Sequence, residues 1–122
     1  MTHKILIVDD EPNIVLSLEF LLEQDGFDVA VARDGEEALA QVAVFRPDLV
    51  LLDIMLPRLN GYEVCQKIRE TPAWAGVRVL MLSARGRELD VSKGMALGAD
   101  GYITKPFSTR DLIDQVRRVL AA

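Results

Sequence analysis

Basic charge, cysteine and long apolar runs are all scarce in this sequence, and each scarcity removes a class of function. The 14 lysines and arginines are outnumbered by 19 aspartates and glutamates, leaving a net charge of −5. Such a chain is repelled by phosphate backbones and by anionic lipid surfaces, so neither direct nucleic-acid binding nor membrane attachment is expected of it. The lone cysteine, Cys65, rules out an internal disulfide and suits a reducing compartment. It sits beside Val64 and Ile68 in a helical stretch, where a small buried thiol is the expected state. Charge or proline breaks every apolar run short of a membrane span, and no apolar leader with a cleavage site precedes the first strand-like run. A cytoplasmic protein is therefore expected. There is also no linker, no low-complexity tract and no fixed-period repeat, so the 122 residues are expected to form one domain over 1–122. With 50% apolar and 27% charged residues, that domain should be folded rather than disordered.

What the sequence does contain is an alternation. Short β-branched runs (Ile5–Val8, Val29–Ala32, Leu49–Leu52, Val77–Leu82 and Tyr102–Thr104) predict strands, the second and last having the weakest pattern. The near-continuous apolar character of the first, third and fourth predicts strands covered on both faces, as in a parallel sheet. Between them, Ile14, Val15, Leu18, Leu21 and Leu22 recur at helical spacing, with Pro12 suited to the first turn and Gly26 to the stop. Asp34 with Glu37 predicts a capped helix through Val44. Further helices are expected over Tyr62–Glu70, over Glu88–Leu97 closed by Gly98, and from Thr109 with Ser108 as cap, burying Leu112, Val116, Val119 and Leu120. Five strands alternating with five helices imply an α/β, doubly wound parallel sheet.

The chemistry lies where the strands stop. The first apolar run leads into Asp9 and Asp10, the third into Asp53, the fourth into Ser83, and the fifth into Lys105 and Pro106. In an open α/β sheet, ligands bind at the carboxyl ends of strands near the reversal of strand order, so these four places should converge. Singly, each has a bland reading: a helix cap, a turn residue before Pro57, a strand-end hydroxyl, a surface lysine. Together, three carboxylates repel one another unless a cation joins them, and hard oxygen ligands suit Mg²⁺. A metal, a lysine and a hydroxyl would neutralise the oxygens of a phosphoryl group, with an aspartate as its acceptor.

Four stretches carry a family resemblance: Ile5–Pro12, Leu52–Pro57 with Gly61 following, Leu82–Ala84, and Gly98–Phe107. In this order and spacing they resemble the response-regulator receiver domain of two-component signal transduction, chemotaxis-regulator-like, over the whole chain. The resemblance implies a flavodoxin-like fold with strand order 2-1-3-4-5. It implies Asp53 as phosphoacceptor; Asp9, Asp10, Asp53 and the backbone carbonyl of Met55 as ligands of Mg²⁺ (or Mn²⁺); and Ser83 and Lys105 as partners of the phosphoryl oxygens. Pro106 is implied to follow a cis peptide bond that aims Lys105 inward. Ser83 and Tyr102 are implied to move on phosphorylation and reshape the face made by the fourth helix, fifth strand and fifth helix. Met55 and Arg85 occupy positions where phosphoryl lifetime is tuned; Arg85 is either a solvated loop arginine or one that shades the phosphoryl group.

The implied donor is a sensor histidine kinase or histidine phosphotransfer protein docking near the first helix. His3, the only histidine, is poorly placed to be that donor itself. The implied output is a downstream protein or domain. Of the charges through which the winged-helix DNA-binding subfamily dimerises, Asp100, Asp111 and Arg118 are matched here, whereas Val91, Gly101 and Gln115 are uncharged. Most of those pairs therefore cannot form. Competing readings are a degenerate receiver acting as an interaction module, a flavodoxin-like flavin protein, and an aspartyl-phosphate hydrolase. The acidic stretch after the first strand argues against a phosphate loop, and Met55 stands where the hydrolases place a second aspartate.

Overall fold

A computed structural model describes residues 2–84 and 88–121, with the side chains of all of these but 88–90. Strands β1 (Lys4–Val8), β2 (Asp28–Ala32), β3 (Leu49–Asp53), β4 (Arg78–Ala84) and β5 (Gly101–Lys105) form a parallel sheet in the order β2-β1-β3-β4-β5. Helices α1 (Pro12–Gln24), α2 (Gly35–Phe45), α3 (Gly61–Glu70) and α4 (Glu88–Ala96) supply the crossovers, α5 (Thr109–Ala121) follows β5, and a short 3-10 turn at Pro72–Trp74 leads into β4.

Alternation along the strands divides the core into two layers. Leu6, Val8, Val50, Leu52, Val79 and Met81 face one side, against Ala38 and Val42 of α2 and Val64, Cys65 and Ile68 of α3. Ile5, Ile7, Leu49, Leu51, Leu80, Leu82 and Ile103 face the other, against Val15, Leu18 and Leu22 of α1 and Leu112, Val116 and Val119 of α5. The strand leucines here are fully buried, each contributing about 1.5–3 kcal/mol by leaving water.

The weak patterns of the second and fifth strands have a positional cause. Both are sheet edges: Val29 and Val31 are only partly buried, and Tyr102 is 46% exposed. The expected Asp34 cap is present, its Oδ1 accepting from Glu37 N at 2.8 Å, and Ser108 Oγ accepts from Asp111 N at 3.0 Å. Helix α3 starts one residue early because Asn60 and Glu63 form a reciprocal capping box. Leu120 is half-buried rather than buried. Strands β3, β4 and β5 run past their apolar stretches, so Asp53, Ser83 and Lys105 belong to the strands themselves; a backbone ladder continues whatever the side chain's polarity. Among the described residues, no helix is long and apolar enough to cross a membrane.

Candidate functional site

Strand order reverses between β1 and β3, and the acidic residues gather there. Asp9 directly follows β1 and Asp53 ends β3. Carboxylate oxygens of Asp9, Asp10 and Asp53 all lie within 4.8 Å of one another. Asp9 is fully buried, Asp53 is 7% exposed, and Asp10 is open to solvent. Lys105, ending β5, reaches across: its Nζ donates to Asp9 Oδ2 at 3.0 Å and to Asp53 Oδ2 at 3.3 Å. The pleat explains the convergence. Asp9 is in phase with Ile7, Asp53 with Leu51 and Lys105 with Ile103, all on the α1/α5 side of the sheet. The Lys105–Pro106 peptide is cis, as expected for this position.

Each buried aspartate is also held by its own backbone. Asp9 Oδ1 accepts from Glu11 N and Asp53 Oδ1 from Met55 N, both at 3.0 Å. These are Asx turns, in which a carboxylate accepts from the amide two residues on. They fix one oxygen of each group and leave the other toward the lysine. Met55, expected from the resemblance to contribute its carbonyl, contributes its amide to this turn, a pairing that the Asp-x-x spacing signals.

Gly61 is needed by close approach. A Cβ there would stand 2.5 Å from the Asp53 carbonyl oxygen and 2.7 Å from Ile54 Cα, so any side chain would push α3 off the end of β3. The Gly61 amide donates to Ile54 O at 3.0 Å, closing the loop.

Burial pushes the Asp53 carboxyl above its ordinary 3.8; the Lys105 charge and the Met55 amide offset this in part, and the Asp9 charge adds to the rise. For Lys105, burial pulls the ammonium down. The hydrogen bond to Asp9 and the charges of Asp53 and Asp9 outweigh it, so Lys105 is held above its ordinary value. The chemistry of the donor set fits a hard divalent cation: three carboxylates face a single ammonium, all with oxygen donors.

Ser83 is buried at the next position up from Leu82, the register partner of Asp53, and its hydroxyl donates to Ala84 O at 3.2 Å. It stands at the carboxyl end of β4, beside the end of β3 that carries Asp53. Tyr102 stands apart, lining a cleft of about 530 Å³ with Met95, Phe107, Asp111, Gln115 and Arg118 between β5, α4 and α5. Arg85 lies outside the described residues. Asp100, matched above to an intersubunit charge, is engaged within the chain: its Oδ2 accepts from Arg69 Nη2 at 2.7 Å and Val79 N at 2.8 Å. Arg117 pairs with Asp25 at the end of α1, at 2.5 Å.

With this geometry established, comparison with known proteins is decisive. The family model of the response regulator receiver domain matches residues 5–117. The chain belongs to that family. The receiver is 48% identical over 120 residues (98% of its length) to the alkaline phosphatase synthesis transcriptional regulatory protein PhoP of Bacillus subtilis. It is 46% identical over 117 residues (96% of its length) to the DNA-binding response regulator MtrA of Mycolicibacterium smegmatis. It spans about half the length of these relatives, 49% and 50% respectively. A crystal structure of a protein taken to be a response regulator, from Chloroflexus aurantiacus, superposes with a TM-score of 0.96 at 36% identity, covering 100% of both chains. The receiver is thus a signalling domain, a phosphorylation-dependent switch of response regulators rather than an enzyme of the ordinary kind.

Proposed function

We propose that residues 1–122 form one receiver domain in which Asp53 accepts a phosphoryl group from a histidine kinase or phosphotransfer protein. The observation that carries this reading is the meeting of Asp9, Asp10 and Asp53 with Lys105 at the point where strand order reverses. An Asp53 carboxylate oxygen attacks phosphorus as the bond from phosphorus to the donor's nitrogen breaks, and the freed imidazole leaves with a proton from solvent. The Asp53–Met55 turn aims the carboxylate. Lys105 can transfer its hydrogen bonds from the carboxylates to a phosphoryl oxygen, and Ser83, released from Ala84 O, can supply a second donor. Asp9, Asp10, Asp53 and the Met55 carbonyl would hold Mg²⁺ or Mn²⁺, which when bound offsets negative charge on the transferring group.

The same site would return the group to water, so slow self-catalysed dephosphorylation belongs to the proposal. So do a cytoplasmic location, a switch running through Ser83 and Tyr102 to the α4-β5-α5 cleft, and a downstream output protein or domain. Self-pairing through that face is disfavoured by Val91, Gly101 and Gln115 and by the commitment of Asp100 to Arg69. Incubation with Mg²⁺ and acetyl phosphate, followed by intact-mass measurement, tests the central claim. Wild type should gain one phosphoryl group and Asp53→Asn none; equal labelling of both would overturn it.

A further inference from the structure

A cleft of about 520 Å³ opens at the pole opposite the acidic cluster, between the end of α2 and the 3-10 turn that precedes β4. That is the volume of a small-molecule site. Val42, Pro47 and Val77, all buried, give the lining its apolar part, and the half-buried Trp74 adds an aromatic ring. Arg46 and Asp48 complete it with one charge of each sign.

Both sides of the cleft are held by hydrogen bonds within the fold. Trp74 N donates to Thr71 O at 2.9 Å and Val77 N to Trp74 O at 3.0 Å, which closes the turn. Arg69 Nη1 donates to Val77 O at 2.7 Å. On the α2 side, Lys4 N donates to Asp48 Oδ2 and Asp48 N to Lys4 O, both at 2.7 Å, while Lys4 Nζ serves Phe45 O at 3.2 Å. The walls are therefore formed before anything enters, and a ligand need not order them.

Three polar groups of the lining are left over. Among the described residues, the Arg46 guanidinium and the Trp74 indole N–H have no acceptor, and Asp48 Oδ1 has no donor. Arg46 also strains the end of α2: its φ of 53° lies in the left-handed region, where glycine or asparagine terminates a helix more comfortably. A ligand bearing only an anion would be repelled by Asp48, and one bearing only a cation by Arg46. A zwitterion answers both. Its carboxylate accepts from Arg46, its ammonium donates to Asp48 Oδ1, and a flat apolar side chain packs with the Trp74 ring over the buried aliphatic residues. We propose that this cleft binds a free α-amino acid with an aromatic side chain. The site shares no residue with the acidic cluster, so it stands or falls independently of Asp53.

The probe is L-phenylalanine, titrated into the nitrogen-15-labelled domain and followed by two-dimensional NMR. The chain has one tryptophan, so the Trp74 indole cross-peak is unambiguous and reports from the cleft itself. It should shift saturably, with half-saturation at about 1–10 mM, as suits a ligand of about a dozen heavy atoms. Phenylacetate lacks the ammonium and phenethylamine the carboxylate; each should bind about two- to fivefold more weakly, the loss of one solvent-exposed ion pair. L-Alanine, which has no ring, should leave the peak in place. Arg46→Gly should melt no lower than wild type, since it relieves the left-handed strain, yet bind phenylalanine about two- to fivefold more weakly. A merely structural arginine would not separate the two readouts. Asp48→Asn keeps an oxygen for Lys4 N and should weaken binding by a similar factor. An indole peak unmoved by phenylalanine up to its solubility, equal affinity for either one-charge analogue, a saturable response to alanine, or wild-type affinity in either folded variant would overturn the proposal.

Discussion

Removing the Lys105 ammonium while keeping its length, as in Lys105→Met, isolates what the cation does for the fold. The Lys105 side chain is 19% exposed, whereas that of Asp9 is fully buried and that of Asp53 10% exposed. Breaking a buried pair by deleting one partner costs about 3–5 kcal/mol, because the remaining charge is left uncompensated. Partial exposure of Lys105 and the Asx-turn amides that still serve both carboxylates reduce this, to about 2–3 kcal/mol. For a domain of this length, about 3–5 °C of melting temperature accompanies each kcal/mol, so the variant should melt roughly 6–15 °C below wild type in EDTA. Added Mg²⁺ should stabilise both proteins by mass action, but the variant more, since bound metal answers the same carboxylates that lost their lysine. The gap should therefore narrow in millimolar Mg²⁺. Differential scanning calorimetry with and without metal gives both quantities. A variant melting within about 2 °C of wild type in EDTA, or a gap that Mg²⁺ leaves unchanged, would refute the assignment of Lys105 as the site's internal counter-cation.

Two further outcomes follow from the same geometry. The Asp53 pKa is raised in the folded protein by burial, so the native state binds this proton more tightly than the unfolded chain does. Stability from this group is then full below its unfolded value near 3.8 and lost as pH rises through the higher folded value. Asp53→Asn in metal-free buffer should accordingly be more stable than wild type at neutral pH, with the advantage shrinking as pH falls toward 4; urea midpoints across that range check the sign. Gly61→Ala forces a methyl into the Asp53 carbonyl and the Ile54 backbone, and should cost about 1–3 kcal/mol in a denaturant titration. It should also slow labelling by acetyl phosphate, because α3 can make room only by shifting the loop that holds Met55.

Sequence reading recovered the fold because the central strands are apolar on both faces and the helices on one, and those two periods leave little choice of layer. It recovered the acidic cluster because strand-end position and the topology rule are both one-dimensional facts. Element ends were harder. A strand's last hydrogen bonds do not depend on whether a side chain is apolar, so the apolar runs stop short of Asp53, Ser83 and Lys105, which the strands contain. The Asn60–Glu63 capping box has the Asn-x-x-Glu spacing of such a cap, one residue ahead of the helix expected from Tyr62. Contacts between distant segments left no local trace: nothing near Arg69 foretells that its three donor nitrogens serve Gly98, Val77 and Asp100. Lys93 and Tyr62 meet only because α3 and α4 share a side of the sheet.

The common phase of Asp9, Asp53 and Lys105 along their strands sets what length changes the chain can bear. Deleting one residue between Gly101 and Lys105 would send the ammonium to the other side of the sheet, and no rotamer could bring it back. A two-residue deletion would preserve its side but withdraw it by about 6.6 Å, beyond reach of either carboxylate. By contrast, residues added at Arg46–Asp48, at the opposite pole from the acidic cluster, alter no strand's phase. Insertions and deletions among natural variants of this domain should therefore collect at that pole, and the five strands should keep their lengths to the residue.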